Sequence, residues 1–183
     1  MLKFFGISKK DKVSVKDTAN LFSVALNKVI NDGFPEIQNF LNNNNNLEKS
    51  PKILDKEIKW FRLIIFSGNL YLLSTKFEEN EALLLRNHIV DELMPFLDDD
   101  TEIAMDLLLN YETYFNETLQ RQVNPIDTMT VAVFDKYNIN ECQSELFKRK
   151  NEPNPVLFNE LRKYLSNFVW NWDEFLEKCK ITF

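Results

Sequence analysis

The sequence predicts an all-α protein, a single-domain bundle of about seven or eight helices, and three observations carry that prediction. Apolar residues recur at helical spacing over most of the 183 residues. Helix punctuation accompanies them: Ser14, Ser50, Asn124 and Asn154 each stand just ahead of a periodic segment, the last three directly before a proline. Strand signals are missing. There are no alternating β-branched runs, and the one hairpin-like dipeptide, Asp32-Gly33, reads better as a helix end.

The elements follow in order. Ser14, with Asp17 three positions on, caps a helix over 15–32 whose stripe is Leu21, Phe22, Ala25, Val29 and Ile30, and Gly33 is its stop. Pro35 opens a short helix through Ile37, Phe40 and Leu41, which runs into a five-asparagine loop at 42–46. That loop is polar and has no apolar anchor, so it is the expected site of proteolytic nicking, and it sets off residues 1–46 as an N-terminal helical subdomain. Ser50-Pro51 signals the next helix, with Leu54, Ile58, Phe61, Ile65 and Leu72 on one face and residues 63–73 apolar nearly all round, the pattern of a helix surrounded by others. A helix over 78–94 is stopped or kinked by Pro95. The next, over 101–121, sets Glu102, Asp106, Asn110, Thr113 and Glu117 opposite Ala104, Leu108, Tyr111 and Phe115. Asn124-Pro125 opens a helix to Tyr137, Asn138, Ile139 and Asn140 turn the chain, and a short helix covers 141–150. Asn154-Pro155 caps a final pattern through Leu157, Phe158, Leu161, Leu165, Phe168, Trp172, Phe175 and Leu176.

Composition removes several classes of chemistry. Three glycines leave no G-x-G-x-x-G, no phosphate loop and no G-x-S-x-G elbow, each of which needs glycine for its tight turn. His88 is the sole histidine, so two-histidine zinc sites and H-E-x-x-H cannot form within one chain. Cys142 and Cys179 are far apart without C-x-x-C spacing and read as reduced thiols, which points to the cytoplasm. The first ten residues, MLKFFGISKK, hold too short an apolar stretch for a secretion signal, and the apolar window at 60–73 is shorter than the ~20 residues that cross a bilayer. No internal repeat is present. The 22 asparagines have the look of coding bias rather than of a functional tract.

The net charge of −6 is unevenly spread: residues 1–60 carry +3, residues 61–140 carry −9 and residues 141–183 are neutral. A field of that sign repels nucleic acid and anionic membranes and attracts a basic partner.

Within the acidic segment, Asp98, Asp99, Asp100 and Glu102 are followed a turn later by Asp106, and Glu78 and Glu81 form a second pair on the preceding helix. Asp99, Glu102 and Asp106 fall on one helical face and could offer oxygen ligands to Mg²⁺. The two sets resemble the metal site of all-α nucleotide pyrophosphohydrolases, in which E-x-x-E on one helix faces E-x-x-D on the next. That resemblance implies a Mg²⁺-dependent hydrolase of a nucleotide-like phosphate, with Glu78, Glu81, Asp99, Glu102 and Asp106 as metal ligands. The spacing here departs from it, as Asp99-x-x-Glu102, and the segment is poor in the basic residues that would hold a triphosphate. Asp98-Asp99-x-x-Glu102 is also similar to the aspartate-rich motif of isoprenoid synthases, whose second motif this chain lacks. The plainer reading, and the preferred one, is that acids at a helix start cap free N–H groups and complement the helix dipole, each worth about 0.3–1 kcal/mol.

Other features are weaker. His88 has Glu81, Asp91 and Glu92 nearby on its helix but no nucleophile to serve. Residues 128–150 outline a helix-turn-helix, but Lys148, Arg149 and Lys150 lie at the wrong end of the would-be recognition helix. Trp170 and Trp172 cannot both face one core from a single helix, so one ring is a candidate for exposure.

The expectation is therefore a non-catalytic cytoplasmic protein-binding module of immunity or adaptor type, with no catalytic residue and no cofactor. Its contact residues would be Asp98, Asp99 and Asp100 with Trp170, Trp172 and Phe175, and its partner another protein with a basic surface, neither nucleic acid nor membrane. A homo-oligomer is compatible with the sequence. The alternatives are the Mg²⁺-dependent hydrolase and a helical regulator with an apolar ligand pocket.

Overall fold

The computed structural model describes residues 10–122 and 124–183, so the N-terminal reading of residues 1–9 falls outside the described residues. Eight α-helices and two short strands make up the described chain. Strand β1 (Asp11–Ser14) leads into α1 (Val15–Asn42), followed by α2 (Ile58–Lys76), α3 (Glu79–Leu97) and α4 (Thr101–Leu119). Then come α5 (Pro125–Lys136), α6 (Glu145–Lys150), α7 (Pro155–Ser166), α8 (Trp172–Lys178) and β2 (Cys179–Thr182). The all-α bundle read from the sequence is the observed architecture.

Helix α2 is its axis. Every residue from Leu63 to Leu70 is buried, and the helix touches α1, α3, α4 and α5, as its all-round apolar sequence requires. Gly68 lets α5 approach: a Cβ there would lie 2.5 Å from the Met129 sulfur. The core is one hydrophobic cluster drawn from all the long helices, and α1 contributes Phe22, Leu26, Ile30, Phe34, Ile37 and Leu41 to it, so residues 15–42 pack as part of the same core as the rest.

Four local readings are corrected. Gly33 and Pro35 do not divide α1, which runs unbroken for 28 residues. Burial of Phe34, Ile37 and Leu41 outweighs the ~3 kcal/mol that an interior proline costs, and Gly33 serves packing rather than termination, since the Phe168 ring fills the space of its missing side chain, 2.6 Å from an added Cβ. The buried stripe of α1 is accordingly Ala19, Phe22, Leu26 and Ile30, which leaves Leu21 49% exposed and Val29 also outside. Pro95 likewise sits inside the last turn of α3. Ser50-Pro51 opens no helix: Lys52 takes a left-handed φ of 56°, and α2 begins at Ile58 after a 3₁₀ turn at Asp55–Glu57.

The fourth correction is the small parallel sheet, in which Asp11 pairs with Cys179 and Ser14 with Thr182. Four-residue strands at opposite ends of the chain carry too little alternation to be read from sequence.

The caps agree with their sequence signals. Ser14 Oγ accepts from Asp17 N at 3.1 Å, Asn124 Oδ1 accepts from Ile126 and Asp127 N at 3.0 Å each, and Asn154 Oδ1 accepts from Val156 N at 2.9 Å. The five-asparagine loop is tied down. Asn42 donates to Ile53 O at 2.9 Å and accepts from Ile53 N at 2.8 Å, and Glu48 N donates to Cys142 O at 2.8 Å.

Candidate functional site

Two surfaces hold the residues singled out in the sequence. The first is the start and outer face of α4. Asp100 is its N-cap, accepting from Glu102 N at 2.9 Å and Ile103 N at 3.2 Å, and Asp98 Oδ1 accepts from Asp100 N at 3.2 Å. Two of the three aspartates thus build the helix start. Asp99, Glu102 and Asp106 are exposed, as are Asn110, Thr113 and Glu117 farther along. Only Ala104, Leu108 and Phe115 of this 19-residue helix are buried, and Ile103 and Leu109 stand 49% and 47% exposed among the acids. Among the described residues the single ion pair made by α3 and α4 is Arg86–Glu112, at 2.5 Å.

The metal set does not assemble. Among the described residues no three His, Cys, Asp or Glu side chains come close enough to hold an ion, so Glu78, Glu81, Asp99, Glu102 and Asp106 are not brought to a common centre. The resemblance to the pyrophosphohydrolase site stops at the sequence pattern. Glu78 begins α3 and Glu81 is half-buried in its first turn, while Asp99, Glu102 and Asp106 lie exposed.

The second surface surrounds the break between α7 and α8. Asn69, fully buried in α2, donates to Ile65 O and Phe168 O at 2.9 Å each and accepts from Trp170 N at 2.8 Å. One amide thereby fixes the linker that presents both tryptophans. The linker also resolves the i, i+2 conflict, because the two residues are not on one helix. Trp172 is corrected as a contact residue: it is 2% exposed, stacked on Phe22 at 5.5 Å and edge-on to Phe77 at 5.1 Å. Trp170 is half-buried and meets Phe175 at 6.2 Å. Together with Leu21, Val169, Lys178 and Cys179 they line an open groove of about 400 Å³. Its rim carries the Lys178–Glu174 pair at 2.6 Å, which raises the lysine's pKa and lowers the carboxylate's.

The sequence reading missed Asn69, although an asparagine inside an otherwise apolar helix is itself a signal, since such a group is buried only with partners. It also missed a cluster at Trp60, whose ring stacks on Tyr111 at 6.3 Å and lies under Lys136 Nζ at 3.4 Å. Burial, followed by repulsion from Lys59, lowers the Lys136 pKa, and burial pushes Tyr111 up to about 12. His88 lies half-buried on α3. Cys142 and Cys179 are free thiols, and burial raises the pKa of Cys142.

No family model, no curated protein and no solved structure matches the chain. Among the described residues no helix is long and apolar enough to cross a membrane.

Proposed function

We propose that this chain is a non-catalytic, cytoplasmic protein-binding module of adaptor or immunity type, and that the outer face of α4 receives a basic protein partner. One observation carries the reading: Asp99, Glu102 and Asp106 stand exposed and without ion pairs among the described residues, on a helix that also exposes Ile103 and Leu109. Carboxylates that serve neither a cap nor an internal pair lend electrostatic steering, and the adjacent apolar side chains supply area for desolvated contact. Asp98 and Asp100 act differently, by holding the helix start that presents this face.

The test is a triple variant, Asp99→Asn, Glu102→Gln and Asp106→Asn. The wild type should retain a basic partner from its native cell at low salt and release it at high salt, while the variant should fold normally and fail to retain it. The hydrolase reading makes the opposite forecast. Millimolar Mg²⁺ would then raise the wild-type melting temperature by mass action, and the variant would lose that rise. No Mg²⁺ response is expected, and a response that disappears in the variant would overturn the binding-module reading.

A further inference from the structure

A hollow of about 490 Å³ lies where the asparagine loop passes α7, apart from both surfaces described above. Three stretches of chain wall it. The last turns of α1 supply Glu36, Asn39 and Phe40, the loop supplies the asparagines at 43–46, and α7 supplies Glu160 and Tyr164. Phe40 and Tyr164 stand together with ring centroids 4.8 Å apart, the first half-buried against the core and the second 37% exposed. A second hollow of about 370 Å³ shares Phe40, Glu160 and Tyr164 and adds Lys163 and Asn167. The aromatic pair thus borders two adjoining depressions, each within the ~300–1,000 Å³ range of small-molecule sites.

Composition accounts for the abundance of asparagine, and the fold decides where the amides gather. The loop is already ordered: Asn43 Nδ2 donates to Asn39 Oδ1 at 2.7 Å, Asn44 Oδ1 accepts from Asn46 N at 2.9 Å, and Leu47 N donates to Asn44 O at 3.1 Å. Each of these side chains keeps its other end unused among the described residues. Asn39 and Asn44 retain an Nδ2 donor and Asn43 an Oδ1 acceptor, while Asn45 is exposed and its whole amide is open to a ligand.

Such a wall selects its ligand by chemistry. Amides offer donors and acceptors side by side and carboxylates accept, which suits a molecule bearing many hydroxyls, since each hydroxyl donates and accepts at once. The aromatic rings add a flat surface whose negative faces attract C–H groups. A pyranose ring has both properties, with hydroxyls around its edge and C–H bonds across its faces. Glu36 and Glu160 against Lys163 make the hollows acidic, which disfavours a phosphate-bearing ligand. A purely apolar ligand would strip water from the amides without replacing its hydrogen bonds.

We propose that the hollow between the asparagine loop and α7 binds a neutral oligosaccharide, one ring lying on Tyr164 with its hydroxyls toward the asparagines and the next ring entering the adjoining hollow. The site is separate from α4 and independent of the reading given to that helix.

The full-length chain is titrated separately with maltotetraose, cellotetraose and chitotetraose and followed by amide chemical shifts, which register asparagine side chains directly. At least one sugar should shift the amides of Asn39 and residues 43–46, with a Kd of roughly millimolar or tighter. Tyr164→Ala and Asn45→Ala, each at an exposed side chain, should weaken that binding at least about tenfold, and Tyr164→Phe, which keeps the ring, should retain most of it. Absence of shifts with all three sugars would overturn the proposal, as would shifts confined to another surface or binding unchanged in both alanine variants. Adenosine triphosphate bound at these amides more tightly than any of the sugars would also overturn it, by assigning the rings to base stacking.

Discussion

At the scale of single residues, Asn69 and Gly33 hold the most consequence for the least bulk. Asn69→Leu keeps the volume of α2 but leaves the Phe168 carbonyl and the Trp170 N–H buried without partners. The expected loss is about 2–5 kcal/mol, read by urea unfolding, with altered tryptophan emission as the linker loosens. Asn69→Asp should do no better, because an ionised carboxylate cannot donate to the Phe168 and Ile65 carbonyls. Gly33→Ala sets two effects against each other. Alanine gains about 1 kcal/mol of helix propensity, but its Cβ meets a Phe168 ring that is buried and held edge-on to Phe61 at 5.1 Å. A ring so confined cannot withdraw, and overpacking at ~1–3 kcal/mol wins, so the variant should melt below the wild type. The Gly33 role is hidden at the level of residue type, because a glycine two residues ahead of a proline signals a stop and only the distant Phe168 reveals the contact, whereas Asn69 stands out as a polar residue in an apolar run.

Elements were legible where their signals are local. The caps at Ser14, Asn124 and Asn154 and the polar stripe of α4 occupy the positions that periodicity assigns, because a cap or a face is decided within a few residues. The breaks in α1 and α3 were misread because proline reports a local cost and says nothing of the tertiary burial opposing it. That cost is still present in the native state and can be measured. Pro35 is exposed, so Pro35→Ala should restore the amide donor toward the preceding turn and relieve the ring clash without disturbing the core. It should stabilise the protein by up to ~3 kcal/mol in a thermal melt. The asparagine loop is anchored at its edges by bonds that its polar run does not announce. Asn42 clamps Ile53 through both ends of its amide, so Asn42→Ala should cost about 1–3 kcal/mol and speed limited proteolysis of the loop relative to the wild type.

Across the whole molecule, the charge asymmetry was legible by counting, whereas the aromatic organisation required the fold. Trp170 and Trp172 divide into groove and core only because Asn69 holds a linker between two helices. The tyrosines illustrate the same dependence and make the molecule sensitive to alkali. Tyr111 is pushed up to about 12 by burial. Tyr114 is pushed higher still by burial and by its hydrogen bond to Asp135, and Tyr137 by burial while it donates to the Glu57 carbonyl at 3.1 Å. Each holds its proton more tightly folded than unfolded, so its stabilisation is complete below pH 10 and is lost as pH rises toward the folded value. Between pH 10 and 12 the unfolded chain binds fewer protons than the native one, and stability falls by at most roughly 1.4 kcal/mol per pH unit for each of the three. Urea midpoints should therefore show no tyrosine contribution to their pH dependence below pH 10 and decline steeply above it. Tyr114→Phe, which removes one titration and its bond to Asp135, should lower the plateau slightly and make the alkaline decline shallower. A decline equally steep in that variant would mean that Tyr114 already ionises in the native bundle at its ordinary pH.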